Sequence, residues 1–358
     1  MKATALSNVN VLMIGPSLQS RGGMATVERQ LLEHLPKAGI DVRFLPTYTD
    51  SGKVRKLAIA MNSYVKFCRL LDGFEIVHIH TASRNSFSRK SRFVRFAKKR
   101  GKKVVLHLHG SEFGVWFIDE CTTAQREKIR SVLDGCTKVV VLSEEWREFF
   151  LENKVCNGNK IAVLHNAVNV PAENVTNYTS NNVLFMGCLD DRKSPDVLLR
   201  AAARILPNHP DASFTFGGDG DVQTYRDLAI ELGIAQRCVF TGWVNSLERD
   251  RLYRESSIYC LPSKNEGMPM SVLEAMSYGL ATLSTSVGGV PQVITNDKDG
   301  FIFPVGDDRV LAEILGNLMS DEKLKGRIGN AGRNRIVQAF GMNALIEQIS
   351  DLYKEIAL

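Results

Sequence analysis

Mainly apolar runs of strand length recur along almost the whole chain, and amphipathic stretches separate them. In the first half the runs are Val9–Ile14, Val42–Phe44, Ile76–Ile79, Val104–Leu108, Val139–Leu142 and Ile161–Leu164. Helical periodicity lies between them, for example over Met24–Leu35 and Val54–Leu71. Strands that show little inside–outside alternation are buried on both faces, and alternation with helices predicts a parallel sheet covered on both sides. A polar run of Asn, Thr and Ser at Pro171–Asn182 interrupts the pattern and reads as an interdomain linker. The pattern then restarts. Val183–Met186, Ser213–Phe216, Val239–Phe240, Ile258–Leu261, Ala281–Ser284 and Phe301–Phe303 are the strands of the second half. Its helices are expected at Pro195–Ile205, Val222–Leu232, Pro269–Tyr278 and Arg309–Met319.

The expected fold is therefore α/β, with two tandem doubly wound, Rossmann-like domains facing across a cleft. The expected domains are residues 1–170, residues 171–340, and a C-terminal segment, 341–358, whose helix Asn343–Ile356 packs back on the first domain. A chain of 358 residues exceeds one ordinary core, which agrees with two domains. Ligands of such sheets bind beyond the carboxyl ends of the strands. The Met1-Lys2-Ala3-Thr4-Ala5 start and the polar Ser7-Asn8 that follows read as lacking a secretory leader. No apolar run approaches the roughly 20 residues that span a bilayer. The seven cysteines are scattered, and none sits in a Cys-x-x-Cys pair, so the expectation is a reducing cytoplasm without a zinc site or disulfide framework.

Two segments carry candidate chemistry. The first strand ends in Gly15-Pro16-Ser17-Leu18-Gln19-Ser20-Arg21-Gly22-Gly23-Met24, directly before a helix. Paired glycines let a ligand approach the backbone closely, and the free N–H groups at a helix start favour an anion. The segment is neither the Gly-x-Gly-x-x-Gly fingerprint nor a Walker loop; its plain alternative is a flexible strand-to-helix turn. The second segment runs from Glu266 through Gly267-Met268-Pro269-Met270-Ser271-Val272-Leu273 to Glu274. Pro269 suits a first helical turn, and Gly279 suits its close. Val272, Ala275, Met276 and Gly279 share the sheet-facing side, which turns Glu274 away from the sheet. Two carboxylates then border one helix start, where they can accept hydrogen bonds from sugar hydroxyls while the N–H groups hold a phosphate.

The Glu-x7-Glu run, with Gly267-Met268-Pro269 inside it and Glu274-Ala275-Met276 and Gly279 after it, resembles the signature of the family 4 retaining glycosyltransferases of GT-B fold. Other segments resemble that family's landmarks in order along nearly the whole chain. They are Gly22-Gly23, Leu106-His107-Leu108-His109-Gly110, Val139–Ser143, His165–Val168, Gly217-Gly218-Asp219-Gly220 and Phe240-Thr241-Gly242-Trp243-Val244. The resemblance implies roles. Glu274 would bind the ribose hydroxyls of a nucleotide. Glu266 would contact the donor sugar, assisted by the backbone of Gly267, Met268 and Pro269. Gly218, Trp243 and Val244 would lie near the donor nucleotide. His109 would sit beside the transferred sugar, His107 deeper in, and His80 toward the acceptor.

One motif departs from the family's pattern of Gly-Arg-Leu followed by a Lys. Here it is Gly187-Cys188-Leu189-Asp190-Asp191-Arg192-Lys193, so Lys193 is present and Cys188 stands where the Arg would be. A neutral thiol cannot replace a bidentate guanidinium, and Arg192 is expected to supply the missing charge. Cleavage of a sugar–phosphate bond builds negative charge on the leaving diphosphate. Lys193, Arg192, the Gly22-Gly23 amides and the Met270 helix start would meet it. No metal site and no cofactor are expected, and the donor substrate would be a UDP- or GDP-sugar. The resemblance further implies retention at the anomeric carbon.

Charge adds a partner. Residues 1–170 carry 27 Lys/Arg against 15 Asp/Glu, and residues 171–358 carry 18 against 24, so balances of +12 and −6 make up the net +6. Arg84–Lys103 holds ten basic residues and no acidic one. On a helical wheel Phe87, Phe93, Val94, Phe96 and Ala97 take one side, and Arg92, Arg95, Lys98 and Lys99 take the other. A core-facing amphipathic helix with a solvated face explains the phenylalanines but not the lack of acids. An anionic membrane attracts such residues by about 1 kcal/mol each. The expectation is thus a cytoplasmic enzyme, peripheral at the inner face of the plasma membrane, with a lipid-linked or oligosaccharide acceptor in cell-surface polysaccharide synthesis. Lys53, Arg55, Lys56, Lys66 and Arg69 would extend the same face. The alternatives are a nucleotide-sugar epimerase of the same architecture, a non-catalytic nucleotide-sugar binding subunit, and nucleic-acid binding through the basic segment. Nucleic acid is not expected as a partner, because no stacking platform accompanies the charge.

Overall fold

The computed structural model describes residues 9–20, 22–49, 53–174 and 176–357, without the side chains of 53–58. Arg21, the extreme N-terminus and the side chains of Lys53, Arg55 and Lys56 therefore lie outside the described residues. The chain divides into two compact units, Met1–Ala167 with Met342–Leu358, and Val168–Gly341.

The first unit holds a six-stranded parallel sheet. Its strands are β1 Asn10–Gly15, β2 Asp41–Pro46, β3 Ile76–Thr81, β4 Lys103–Leu108, β5 Lys138–Val141 and β6 Ile161–Val163, in spatial order β2-β1-β3-β4-β5-β6. Val11, Leu12, Met13 and Ile14 are fully buried, as are Val77, Ile79, Val104, Val139 and Val141. Each such side chain contributes about 1.5–3 kcal/mol of burial, which explains why the central strands read as apolar runs. The helix Arg84–Lys99 puts Phe87, Phe93, Val94 and Ala97 into this core and leaves Arg92, Arg95, Lys98 and Lys99 exposed. Phe67 and Tyr64 meet Phe93 edge to face at 5.0 and 5.3 Å. The last helix, Met342–Ala357, belongs to this unit and buries Leu345, Ile349, Leu352 and Tyr353.

The second unit repeats the plan. Its strands are β7 Asn182–Met186, β8 Ser213–Gly217, β9 Cys238–Gly242, β10 Ile258–Leu261, β11 Ala281–Thr285 and β12 Phe301–Phe303, in order β12-β11-β10-β7-β8-β9. The order reverses between β10 and β7, so the loops after β7, β10 and β11 emerge side by side at the carboxyl edge.

The Pro171–Asn182 segment differs from the linker reading. It is fastened to the second unit. Thr176 Oγ1 donates to the Tyr278 carbonyl and Tyr178 Oη to that of Gly279, both at 2.8 Å, and Asn174 donates to Asn330 at 2.8 Å. The polar side chains that suggested a free linker satisfy the carbonyls at a helix end, and the chain crosses between units at Ala167–Val168.

Candidate functional site

The second unit's candidate site is built around the helix Met270–Tyr278. Pro269 precedes it in extended conformation, and Gly279 closes it with φ +89, a left-handed cap that favours glycine. Val272, Leu273, Ala275 and Met276 anchor it on the sheet. Glu274 points off that face toward the helix Ser246–Glu255. There its carboxylate accepts from Tyr253 Oη at 3.1 Å and pairs with Arg249 at 3.2 Å. The Glu274 side chain keeps only 12% of its exposure, and its surroundings are polar. Arg249 and Tyr253 are partners that the sequence reading missed. Their only trace is an i, i+4 spacing on one helix face.

The neighbouring β7, β10 and β11 loops bring the other predicted residues together. Glu266 is 6% exposed and accepts from Lys193 Nζ at 2.5 Å and Arg192 Nη1 at 3.3 Å. Arg192 also donates to the Asn265 carbonyl at 3.0 Å, and Lys264 N to the Arg192 carbonyl at 2.8 Å, so the two loops are stitched by backbone and side chain alike. Asp190 Oδ1 accepts from Lys193 N at 2.8 Å, and Lys264 pairs with Asp191 at 2.5 Å. Lys193 is thus nearly buried, and the carboxylate and both cations proposed from the motif meet at one point.

Cys188 lies half-buried against the Gly218–Gly220 turn. Burial, then the Asp190 carboxylate, pushes its thiol up to about 11, so the Arg position of the motif is uncharged. Gly218 has φ +147, and any Cβ there would overlap the Gly187 carbonyl; its own N–H donates to the Gly242 carbonyl at 2.9 Å. Trp243, beyond β9, is 53% exposed and Val244 is half-buried.

The Gly288-Gly289 turn after β11 was not singled out from the sequence. Gly288 has φ +54 and would drive a Cβ into the Glu266 carbonyl, while Gly289 N donates to the Gly267 carbonyl at 2.5 Å. The turn therefore fixes the Glu266–Gly267 peptide. Replacing Gly288 with alanine is expected to cost about 1–3 kcal/mol and to shift Glu266 off Lys193. Thermal melting together with nucleotide affinity checks this, and an unchanged pair of values would refute it.

In the first unit the strand-end histidines form one stack. His78 and His80 of β3 and His107 of β4 are at most 1% exposed, and His109 beyond β4 is half-buried. Register places His80 opposite His107. Ring centroids lie 4.4 Å apart for His78–His80, 4.1 Å for His107–His109 and 5.0 Å for His80–His109. His78 Nε2 meets His107 Nδ1 at 3.2 Å and His80 Nδ1 meets His109 Nε2 at 2.8 Å. The Tyr353 hydroxyl bonds His78 Nδ1 from the C-terminal helix. Burial lowers all four pKa values, His78 and His109 to about 3 and the other two well below the ordinary value. His78, His80 and His107 offer ring nitrogens within 4.8 Å of one another, a set that could hold a metal. His78 has both nitrogens engaged, so ligation would break its bond to His107 or to Tyr353. The paired glycines open the helix Gly23–His34, where Gly22 has φ +110 and open space beside it.

With this geometry in view, comparison with known proteins decides the family. The model described as "Glycosyltransferase Family 4" matches residues 21–171, and "Glycosyl transferases group 1" matches 169–335. The chain belongs to glycosyltransferase family 4. Among curated relatives, the Escherichia coli UDP-Gal:alpha-D-GlcNAc-diphosphoundecaprenol alpha-1,3-galactosyltransferase is 26% identical, over 82% of this chain and 79% of that one. A D-inositol 3-phosphate glycosyltransferase of Corynebacterium jeikeium is 32% identical over 48% of this chain and 43% of its own. Solved structures establish the GT-B fold. The sucrose-phosphate synthase of Thermosynechococcus elongatus superposes with TM-score 0.82 at 18% identity, covering 98% of this chain and 99% of that one. Anabaena HepE with UDP and glucose gives 0.76 at 15%, covering 97% and 100%. This family member is therefore a GT-B glycosyltransferase.

Proposed function

We propose that the enzyme moves a hexose from a UDP- or GDP-sugar to a lipid-linked glycan in cell-surface polysaccharide synthesis, without a metal. The observation that carries this is the convergence of Lys193 and Arg192 on Glu266, one loop ahead of the helix whose Glu274 is held by Arg249 and Tyr253. In this reading Glu274 takes the ribose hydroxyls. Glu266, with the Gly267-Met268-Pro269 backbone, takes the sugar, and the two cations with the Met270 helix start receive the diphosphate charge. By the family resemblance, His109 is the first-unit residue proposed to contact the transferred sugar. The E. coli relative, whose name gives a diphosphoundecaprenol-linked GlcNAc as acceptor, supports the acceptor class.

Docking on an anionic membrane is supported by the helix Arg84–Lys99. Arg92, Arg95, Lys98 and Lys99 are exposed there and have no ion-pair partner among the described residues. On the adjoining helix Lys53–Leu70, Lys66 and Arg69 are exposed, as are Met61 at 64% and Val65 at 47%, so charge and apolar side chains share one surface. Among the described residues no helix is long and apolar enough to cross a membrane.

Thermal melting against UDP, GDP and their sugars tests the donor. A nucleotide at about 100 times its Kd stabilises the folded chain by about 2.7 kcal/mol. That shift should vanish in Glu274→Gln and survive EDTA. No shift with either nucleotide, or no acceptor-dependent release of nucleotide, sinks the proposal.

A further inference from the structure

The donor reading leaves one set of cations unused. A cavity of about 280 Å³ opens in the first unit beside the paired glycines; its walls include Ser20, Gly22, Gly23, Tyr48, Arg89 and Lys90. No acidic residue among the described ones lines it. Arg89 is held by its guanidinium lying 4.9 Å from the centre of the Tyr48 ring, and its Nε is buried without a hydrogen-bond partner. Ser20 is 8% exposed, and its Oγ also lacks a partner. Lys90 is 2% exposed and spends one of its three N–H donors on the His80 carbonyl at 3.1 Å. Behind it lies Glu28, fully buried, with both carboxylate oxygens unpartnered. Burial raises Glu28 and lowers Lys90, each to about 8. Below about pH 8 each of the two holds a proton, which leaves Glu28 neutral and Lys90 charged, so Lys90 and Arg89 together leave the cavity positive.

A buried guanidinium nitrogen and a buried hydroxyl without partners are costly unless a ligand completes them. Arg is the side chain that suits phosphate by fork geometry, and amides at a helix start suit it as well. We propose that this cavity holds a phosphate or diphosphate of the acceptor, with Arg89, Lys90 and Ser20 as its ligands and Tyr48 as the platform that aims Arg89. The inference rests on the transferase reading above. It deepens that reading by stating what the acceptor must carry: a phosphorylated, not a neutral, glycan. The reaction that supplies the acceptor is accordingly one that leaves a sugar phosphate or diphosphate.

Calorimetry with inorganic pyrophosphate on the full chain, saturated with whichever of UDP or GDP stabilises it, is the test. Pyrophosphate is expected to bind the nucleotide-saturated chain. Arg89→Gln should weaken it about tenfold or more, Ser20→Ala by a few-fold, and Arg89→Lys should restore part of the loss. Should Arg89→Gln fail to fold, Ser20→Ala and Arg89→Lys carry the comparison. The inference is overturned if pyrophosphate does not bind at millimolar concentration, or if the nucleotide displaces it in competition, which would assign the cavity to the donor. Equal affinity in the variants overturns it too. In all three cases nucleotide binding persists, so the transferase reading stands. Absence of binding by either nucleotide sinks both.

Discussion

Replacing Lys193 by alanine should lower turnover by a factor on the order of 10²–10³, the usual cost of one preorganised group at developing charge. The pair it breaks is nearly buried: Lys193 Nζ lies 2.5 Å from Glu266 Oε1, and the two side chains are 11% and 7% exposed. Removing one partner strands the other, which ordinarily costs about 3–5 kcal/mol. Arg192, still 3.3 Å from the same oxygen, should hold the loss toward the lower end. Stability alone cannot separate a catalytic lysine from a structural one, but a double-mutant cycle can. In Lys193→Met with Glu266→Gln no buried charge is left unpaired, since Arg192 is about one-third exposed and keeps its bond to the Asn265 carbonyl, so melting should recover toward the parent. Turnover should fall below that of Glu266→Gln alone, because nothing has replaced the ammonium at the leaving diphosphate. Recovery of both would make Lys193 a structural residue and remove it from the chemistry. Cys188→Arg belongs beside this variant, since a guanidinium at the uncharged position would partly rescue Lys193→Ala if the loop faces the diphosphate.

The strands were legible as apolar runs because both sheets are parallel and their central strands are buried on each face, where burial leaves a mark in one dimension; the outer strands β2, β6, β9 and β12 are less buried and gave shorter runs. The ends were short by a residue or two wherever a polar residue closes the strand, as at Thr81 and Thr285. Glu266 and Glu274 were legible because one helix start sets their spacing. Their partners were not. Lys193 meets Glu266 across 73 residues, and Tyr353 meets His78 across 275. Such pairings are set by strand order, β11-β10-β7 in one sheet and β1-β3-β4 in the other, which local pattern does not encode. The Pro171–Asn182 segment was misread for a related reason. A polar stretch that satisfies helix-end carbonyls has the same composition as one that satisfies only water. Likewise the ten basic residues of 84–103 read as one basic segment, yet five have other uses. Arg84 pairs with Glu112 and Glu120, Arg89 lies on Tyr48, Lys90 is buried against β3, Arg100 pairs with Asp72 and Lys102 donates to the Asp72 carbonyl.

Lowering the pH from 7.5 to 5.5 should steeply destabilise the first unit, because the histidine stack must stay neutral to remain buried. His78, His80 and His107 have folded-state pKa values far below the ordinary 6.5, so in this window the unfolded chain takes up protons that the folded chain refuses. Their contribution is fully present above about 6.5 and is lost as the pH falls. Each buried histidine is worth up to about 1.4 kcal/mol per pH unit below that point. His109, only half-buried, adds less. Glu28 acts in the opposite sense. Its folded pKa is raised to about 8, so the folded chain holds a proton the unfolded chain has lost, a contribution present at acidic pH and lost as the pH rises through 8. Lys90, facing His80, opposes a second positive charge in the stack. Three histidines against one glutamate leave a net uptake of about two protons, or about 3 kcal/mol per pH unit near pH 5.5. Against a total stability of about 5–15 kcal/mol, that slope places acid unfolding above the pH at which ordinary carboxylates titrate. Denaturant midpoints followed by tryptophan fluorescence, with Trp116 and Trp146 in the first unit, measure it. His107→Asn should flatten the slope by about one proton. A midpoint that does not move between pH 7.5 and 5.5 would mean that the stack admits water or protons, and that His109 is not held by neutral neighbours.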